Sequence, residues 1–325
     1  MKAVRAHQWC EPRDLTIDEI DRPTPNAGEV LVKINSASLN FPDILLIAGK
    51  YQLKPPLPFV PGLEVAGTIA EFGAGMTGLQ RGQRVLAQLG LGGFAEYAVA
   101  KEAAVQPIPE SMSDDEAASF ALVYQTSYFG LAYRAALRKG ETVLVHSAAG
   151  GVGLAAIQIA RALGAGKIIG TAGSDDKLRL IREQGADVAI NYQTEDFVEV
   201  VKRETDGRGA DVVYDPVGGE VGERSTKCIA FEGRILVIGF TSGKFPVFAS
   251  NHVLIKNYSI VGLHWGAYRQ HNPARIMEAW RELFALYDKG LIRPIIGGRF
   301  PMEKVAEAME LLSSRRAVGK VVLHW

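Results

Sequence analysis

The 325-residue sequence predicts an α/β protein in two parts, a mostly β domain joined to a doubly wound domain with a parallel sheet. Three features point there. Residues 1–105 read as short strands broken by Gly-rich and Pro-rich corners. Beyond Thr142, short β-branched runs alternate with apolar stretches at helical spacing. Between the two parts, residues 141–153 read E-T-V-L-V-H-S-A-A-G-G-V-G and run into L-A-A-I-Q-I-A-R-A-L-G, a strand that passes through a glycine-rich turn into a helix.

In the first part, residues 29–34 (E-V-L-V-K-I) alternate apolar and polar side chains, and strands follow at 65–71, 83–89 and 94–99. Such short, closely spaced strands predict a partly open barrel. Inside it lies N-F-P-D-I-L-L-I-A-G-K-Y at 40–51, followed by K-P-P-L-P-F-V-P-G-L-E. Ser113 is a predicted N-cap for a helix over 113–121, with Asp114, Asp115 and Glu116 in the first turn, where the helix dipole favours carboxylates. A second helix over 126–137 leads into the glycine turn. Strands at 142–146, 167–171, 188–190, 211–214, 234–238 and 259–261 then give the six of a complete doubly wound fold, with helices at 177–184, 195–204 and 220–230 between the earlier ones. Amphipathic helices at 273–287 and 302–312 and a last strand at 320–323 predict a return to the first domain. The expected divisions are 1–122, 123–265 and a return over 266–325.

The glycine turn carries the chemistry. Read as G-x-G-x-x-G it offers Ala148, Gly150 and Gly153, with alanine in the first glycine position. A helix N-terminus presents unsatisfied N–H groups and a positive dipole end, and small residues let phosphates reach that backbone. Within a βαβ unit this predicts a dinucleotide pyrophosphate site. The second strand, K-I-I-G-T, ends in Ala172-Gly173-Ser174, without the carboxylate that would accept hydrogen bonds from the ribose hydroxyls of NAD. Ser174 can cap the next helix and donate to a phosphate. Lys177, in that helix's first turn, stands where the dipole disfavours a cation and a bound 2′-phosphate would offset the penalty. Asp175 and Asp176 weigh the other way, and the balance favours NADPH over NADH.

Composition excludes other classes. Lysine plus arginine equal aspartate plus glutamate at 36 each, and no basic run exists, so nucleic acid is not an expected partner. Two isolated cysteines, Cys10 and Cys228, support neither a disulfide framework nor a cysteine zinc site. Six histidines are scattered without metal spacing, and His146, at the end of a buried strand, reads as structure. No apolar run is long enough to span a bilayer and the first ten residues lack the apolar core of a signal peptide, so a cytoplasmic protein without membrane association is expected.

A series of motifs in one order resembles the medium-chain dehydrogenase/reductase superfamily and, within it, the zinc-free quinone oxidoreductases related to ζ-crystallin. The series is N-F-P-D at 40–43, P-G-L-E at 61–64, G-G-F-A-E-Y at 92–97, A-A-G-G-V-G at 148–153, Y-D-P-V-G-G at 214–219 and G-R-I-L-V-I-G-F at 233–240. The resemblance covers essentially the whole chain and implies a Rossmann nucleotide domain with a GroES-like catalytic domain. Zinc alcohol dehydrogenases of the superfamily use a cysteine after the second strand, a G-H-E turn and a later cysteine. Here Asn40 stands in the first position and Gly62-Leu63-Glu64 replaces the turn, so no metal is expected.

Residue by residue, the resemblance implies that Asn40, Asp43 and Tyr51 form the polar floor of the substrate pocket, with Leu45 where some relatives have tyrosine. It implies that Asn40 also borders the cofactor and that Thr126 meets the nicotinamide side. Ala149, Gly150, Gly151 and Val152 form the pyrophosphate loop, and Gly173, Ser174, Lys177 and Tyr192 contact the 2′-phosphate and adenosine. Phe240, Thr241, His264 and Trp265 lie near the nicotinamide and its ribose, and Lys320 takes the place of a pyrophosphate-binding basic residue. The implied reaction is hydride transfer from NADPH to a quinone or related activated carbonyl, with Asn40 or Tyr51 orienting the acceptor oxygen and the proton coming from Tyr51 or solvent. An enone or enoyl-CoA reductase, and an NADPH-binding protein with little turnover, stay open as alternatives. Pairing of the edge strand near residues 258–261 across a two-fold axis implies a homodimer.

Overall fold

The computed structural model describes residues 1–75 and 78–325. The first part of the chain forms strands β1 (Lys2–Arg5), β2 (Thr16–Glu19), β3 (Glu29–Leu39), β4 (Glu64–Phe72), β5 (Arg84–Gln88), β6 (Tyr97–Lys101) and β7 (Val105–Pro107), with helices α1 (Phe41–Ile47), α2 (Asp114–Ala118) and α3 (Ala121–Tyr128). A π-helical turn, Phe129–Arg134, follows. Then come β8 (Thr142–Val145), α4 (Gly151–Ala162), β9 (Lys167–Ala172), α5 (Asp175–Glu183), β10 (Val188–Asn191), α6 (Phe197–Glu204), β11 (Ala210–Asp215), α7 (Gly219–Ser225), β12 (Ile229–Val237), α8 (Ser250–Lys256) and β13 (Ser259–Gly262). Helices α9 (Tyr268–His271) and α10 (Pro273–Asp288) precede β14 (Ile296–Pro301), α11 (Val305–Ser313) and β15 (Lys320–His324).

The chain divides into two compact units, Met1–Leu122 with Pro294–Trp325, and Val123–Arg293. The return to the first unit therefore begins at Pro294 and not at residue 266. The intervening residues pack on the second unit: the Tyr268 ring lies 4.7 Å from that of Phe129, and the Arg275 guanidinium sits 4.5 Å over Tyr133. Gln158 donates to Arg293 O and accepts from Arg293 N. Amphipathic spacing announces that α10 has an apolar face, but not which unit that face covers.

In the first unit, a sheet in the order β14-β15-β3-β4-β5-β7 is built around β3, whose eleven residues are long enough to hold β4 along one edge. Its other edge is shared end to end by β6, at Glu29–Lys33, and β15, at 37–39. Alternation along these strands sends Val32, Ile34, Ile69, Val85 and Leu323 into one core. Ser113 caps α2 as a reciprocal box with Glu116. The first-turn carboxylates of α2 then pin neighbours, Asp114 to Arg84 and Asp115 to Arg299, each at 2.6 Å.

The second unit is a six-stranded parallel sheet in the order β10-β9-β8-β11-β12-β13. Its central strand, T-V-L-V, is buried throughout, as a strand covered on both faces must be. Two polar ties cross the layers. The Ser127 hydroxyl donates to Val152 O and so accepts from the Tyr214 hydroxyl, 2.9 Å away, joining α3, the first turn of α4 and β11. Arg234 grips both carboxylate oxygens of Glu141 and also donates to Ala135 O, with both side chains only 15% exposed.

Removing one partner of so desolvated a pair leaves a buried charge without compensation. Glu141→Ala is expected to lower the unfolding free energy by about 3 kcal/mol in urea denaturation. A loss well below 1 kcal/mol would mean that water reaches Arg234.

Candidate functional site

Parallel strands put all their carboxyl ends on one side of the sheet, and each implied cofactor segment of the second unit, apart from Thr126 on α3, directly follows such an end. Ala149–Val152 follow β8, Gly173–Lys177 follow β9 and Tyr192 follows β10, while Phe240–Thr241 come after β12 and His264–Trp265 after β13. Strand order reverses between β8 and β11, the crevice where open α/β sheets bind ligands.

At that crevice no side chain caps α4, because its N-cap is Gly150. The turn leading there passes Ser147 at φ +50 and closes tightly on the helix: a Cβ on Gly153 would stand 2.4 Å from Ser147 O and 2.7 Å from Ala148 Cα. Alanine is tolerated in the first glycine position because β9 makes room for it. The Ala148 methyl faces Gly170, whose own Cβ would lie 3.0 Å away. The outcome is a dipole end with small residues around it and first-turn N–H groups that no side chain caps, suited to a diphosphate.

Beside it, Gly173 permits a close approach. A Cβ there would come within 2.5 Å of the Tyr192 hydroxyl, so the ring of half-exposed Tyr192 lies against the end of β9. Ser174 occupies the N-cap position of α5, yet its side chain makes no capping hydrogen bond. Lys177 is partly buried in the first turn, and that burial lowers its ammonium below the usual lysine value. An anionic ligand group would reverse this. Thr126 is half-buried on α3, next to the Ser127 tie. Trp265 is buried, its indole N–H has no partner among the described residues, and the Arg269 guanidinium lies 5.1 Å from its ring, whereas His264 is exposed.

His146 is structural. The Ser225 hydroxyl donates to Val221 O, so it accepts from His146 Nε2–H at 2.9 Å, which leaves Nδ1 to take the Thr171 hydroxyl at 3.2 Å. Burial pushes its pKa down to about 4, so the ring stays neutral.

The first unit brings Asn40, Asp43 and Lys320 together around a residue with no predicted role, Glu64. Lys320 donates to Leu39 O (2.9 Å), Asn40 Oδ1 (2.6 Å) and Glu64 Oε1 (3.0 Å). Asn40 Nδ2 donates to Glu64 Oε1 (2.9 Å) and, more weakly, to Ser38 O (3.4 Å), while Leu122 N–H occupies Glu64 Oε2. Glu64 is fully buried and Lys320 is 4% exposed. Asp43 is fully buried as well. Its Oδ2 accepts from Asn40 N–H at 2.8 Å in the N-terminal box of α1, and the Gly62 amide faces the carboxyl without a well-formed bond to Oδ1.

Three expectations are corrected by these contacts. Lys320 is no pyrophosphate ligand, since its three N–H groups are engaged inside the first unit. Asn40 does not orient a substrate oxygen by donation, because both amide hydrogens are already given. Asp43 touches no substrate, being sealed beneath Asn40, whose backbone it holds. Of the implied pocket floor, Tyr51 alone is part-exposed, packed on the edge of the core. The missed participant, Glu64, was visible as a carboxylate opening the apolar run E-V-A-G, and Lys320 as an ammonium opening V-V-L.

Comparison with known proteins agrees with this architecture. A family model described as alcohol dehydrogenase GroES-like domain matches residues 26–110, and one described as zinc-binding dehydrogenase matches residues 151–285. A quinone oxidoreductase-like protein 2 homolog of Nematostella vectensis is 42% identical over 99% of this chain and 88% of its own length. Human quinone oxidoreductase is 32% identical over 99% and 97% of the two lengths. The structure of Escherichia coli quinone oxidoreductase complexed with NADPH superposes with a TM-score of 0.93 at 31% identity, covering both chains completely. One family description names zinc, and the residues here do not fit that ion. Leu63 has no donor atom, the Asn40 carbonyl oxygen is held by an ammonium, and both Glu64 oxygens are bonded.

Two buried groups give opposite pH signatures. Burial pushes the Asp43 carboxyl up to about 7, against the lowering pull of the Asn40 N–H and the Lys320 charge. Between its unfolded value of about 3.9 and that pH, the native state keeps a proton that the unfolded chain releases, so this contribution to stability falls as pH rises. His146 does the reverse between about 4 and 6.5, where the unfolded chain binds the proton, and its contribution rises with pH. Asp43→Asn is therefore expected to turn the stability profile measured by urea denaturation between pH 4.5 and 6.5 toward a steeper rise. An unchanged profile would place the Asp43 pKa near its ordinary value.

Proposed function

Because the chain belongs to the quinone oxidoreductase family of medium-chain dehydrogenase/reductases, we propose that it binds NADPH in the second unit and reduces quinones or related activated carbonyls in the aqueous cytoplasm. The observation that carries this reading is the uncapped α4 N-terminus at the switch point, with Gly173, Ser174, Lys177 and Tyr192 beside it and no carboxylate closing β9.

When bound, NADPH supplies a hydride from its nicotinamide C4. The residues supply placement. The first-turn N–H groups of α4 hold the diphosphate, while Ser174 donates to the 2′-phosphate and Lys177 neutralises it. Phe240, Thr241 and Trp265 border the nicotinamide end. A quinone that accepts hydride becomes a hydroquinone anion, whose charge lies on oxygen. The Tyr51 hydroxyl orients that oxygen and gives it a proton, which solvent returns to Tyr51. Asn40 is held in place by Glu64 and Lys320 and does not donate to the acceptor.

Steady-state oxidation of NADPH and NADH with 9,10-phenanthrenequinone, a simple enone and crotonyl-CoA tests the reading. Quinone turnover with NADPH preferred is expected, and Lys177→Ala should raise KM for NADPH about tenfold with little change for NADH. Tyr51→Phe should lower kcat with the quinone by about tenfold or more. Turnover of the thioester alone would move the substrate class, and tight NADPH binding without turnover on any acceptor would favour a binding role.

Self-association is the second part of the proposal. Strand β13 lies at the sheet edge, and the segment before it exposes Phe245, Val247, Leu254 and Ile255, the last two at 76 and 69%. Edge pairing of two copies would cover this apolar run. Light scattering at micromolar concentration is expected to give a dimer mass, and Leu254→Asp with Ile260→Lys a monomer. A monomer mass for the unsubstituted chain would remove this part.

A further inference from the structure

The Y-D-P-V-G-G motif has no task in the cofactor site described so far, although it ends the strand at the centre of the crevice. Asp215 closes β11 at 1% exposure. Its Oδ1 accepts from Val217 N–H at 2.8 Å and Gly218 N–H at 3.0 Å, a side-chain turn that reverses the backbone directly after the strand. The carbonyls of that turn face the next loop. Pro216 O accepts from Thr241 N–H at 3.1 Å, Val217 O from Ser242 N–H at 3.0 Å, and Asp215 O itself from Ile238 N–H at 2.9 Å. The segment 238–242 after β12 is thus suspended from the turn that the Asp215 carboxylate ties.

Sterics say the same. Gly218 and Gly219 follow at φ +70 and +54, in the left-handed region. A Cβ on Gly218 would stand 2.8 Å from Phe240 Cδ1 and 2.9 Å from Lys244 O, so the Phe240 ring rests on the turn without clearance. Asp215 Oδ2 is buried, has no hydrogen-bond partner among the described residues, and faces Gly222, where a Cβ would come within 2.7 Å. Only one carboxylate oxygen is used, and its use is as an acceptor.

We propose that Asp215 is a positioning residue for the nicotinamide end of the cofactor, acting through the Val217 and Gly218 amides to set the place of Phe240 and Thr241. The proposal rests on the NADPH reading above and assigns Asp215 no contact with the cofactor.

Fluorescence titration of the full chain with NADPH, and separately with adenosine 2′,5′-bisphosphate, tests it. The bisphosphate carries the adenosine half of the cofactor and no nicotinamide. For Asp215→Ala the dissociation constant for NADPH should rise about tenfold while that for the bisphosphate stays within about twofold of the unsubstituted chain. Asp215→Asn keeps the acceptor and should bind both within about threefold of the unsubstituted chain. Gly218→Ala pushes on Phe240 with Asp215 in place and should reproduce the split seen for Asp215→Ala; if the latter does not fold, Gly218→Ala and Asp215→Asn decide. Equal weakening of both ligands, an asparagine variant as weak as the alanine one, or unchanged NADPH affinity in Asp215→Ala would overturn the proposal with the cofactor reading intact. An unsubstituted chain that binds neither ligand removes both.

Discussion

A polar group withdrawn from water must find a partner, and the helix end at Gly150 leaves that requirement to something other than its own side chains. Strand β8 is buried on all sides, so the chain leaves it at the centre of the sheet, and glycine at the N-cap supplies no side-chain oxygen for the first amides of α4. Much of the second unit is arranged around this gap. Gly153 lets the turn fold back onto the helix, Gly170 makes room for Ala148, and the Ser127 hydroxyl ties the first turn of α4 to β11 through the Tyr214 hydroxyl.

The first unit meets the same requirement internally. Asn40, Glu64 and Lys320 exchange their hydrogen bonds with one another and with the backbone of Leu39 and Leu122, and Asp43 fixes the backbone of Asn40 from below. Such a network costs desolvation of two charges, which their mutual attraction and the satisfied lone pairs offset. What it gives in return is a buried polar cluster with little freedom to rearrange.

Local regularities made most of the architecture legible. The strands of the parallel sheet, the cap at Ser113 and the glycine turn each depend on neighbours within a few residues, and each stands close to where spacing put it, except that β12 begins at Ile229, five residues early and inside the helix expected over 220–230. Strand β3 runs five residues beyond its alternating stretch because β15, drawn from the far end of the chain, pairs with its last residues. The partner of Lys320 was illegible for the same reason: the resemblance implies a phosphate ligand there, and only the fold places Glu64 against it. Ser174 looked like a cap by type and position, but its hydroxyl makes no bond to the helix it precedes. Asp215 stands in a sequence motif, yet its contacts depend on which loop lies over the turn, and that is set by the pairing of β11 with β12.

The division of the chain also orders its synthesis. Residues of the second unit are contiguous, so everything needed for the parallel sheet has been made by Arg293. The first unit, though begun earlier, then still lacks two strands, and Glu64 has no counter-charge until Lys320 has been made. The half made first is thus the half completed last, and a stop codon before residue 320 would be felt at Asn40, almost three hundred residues upstream.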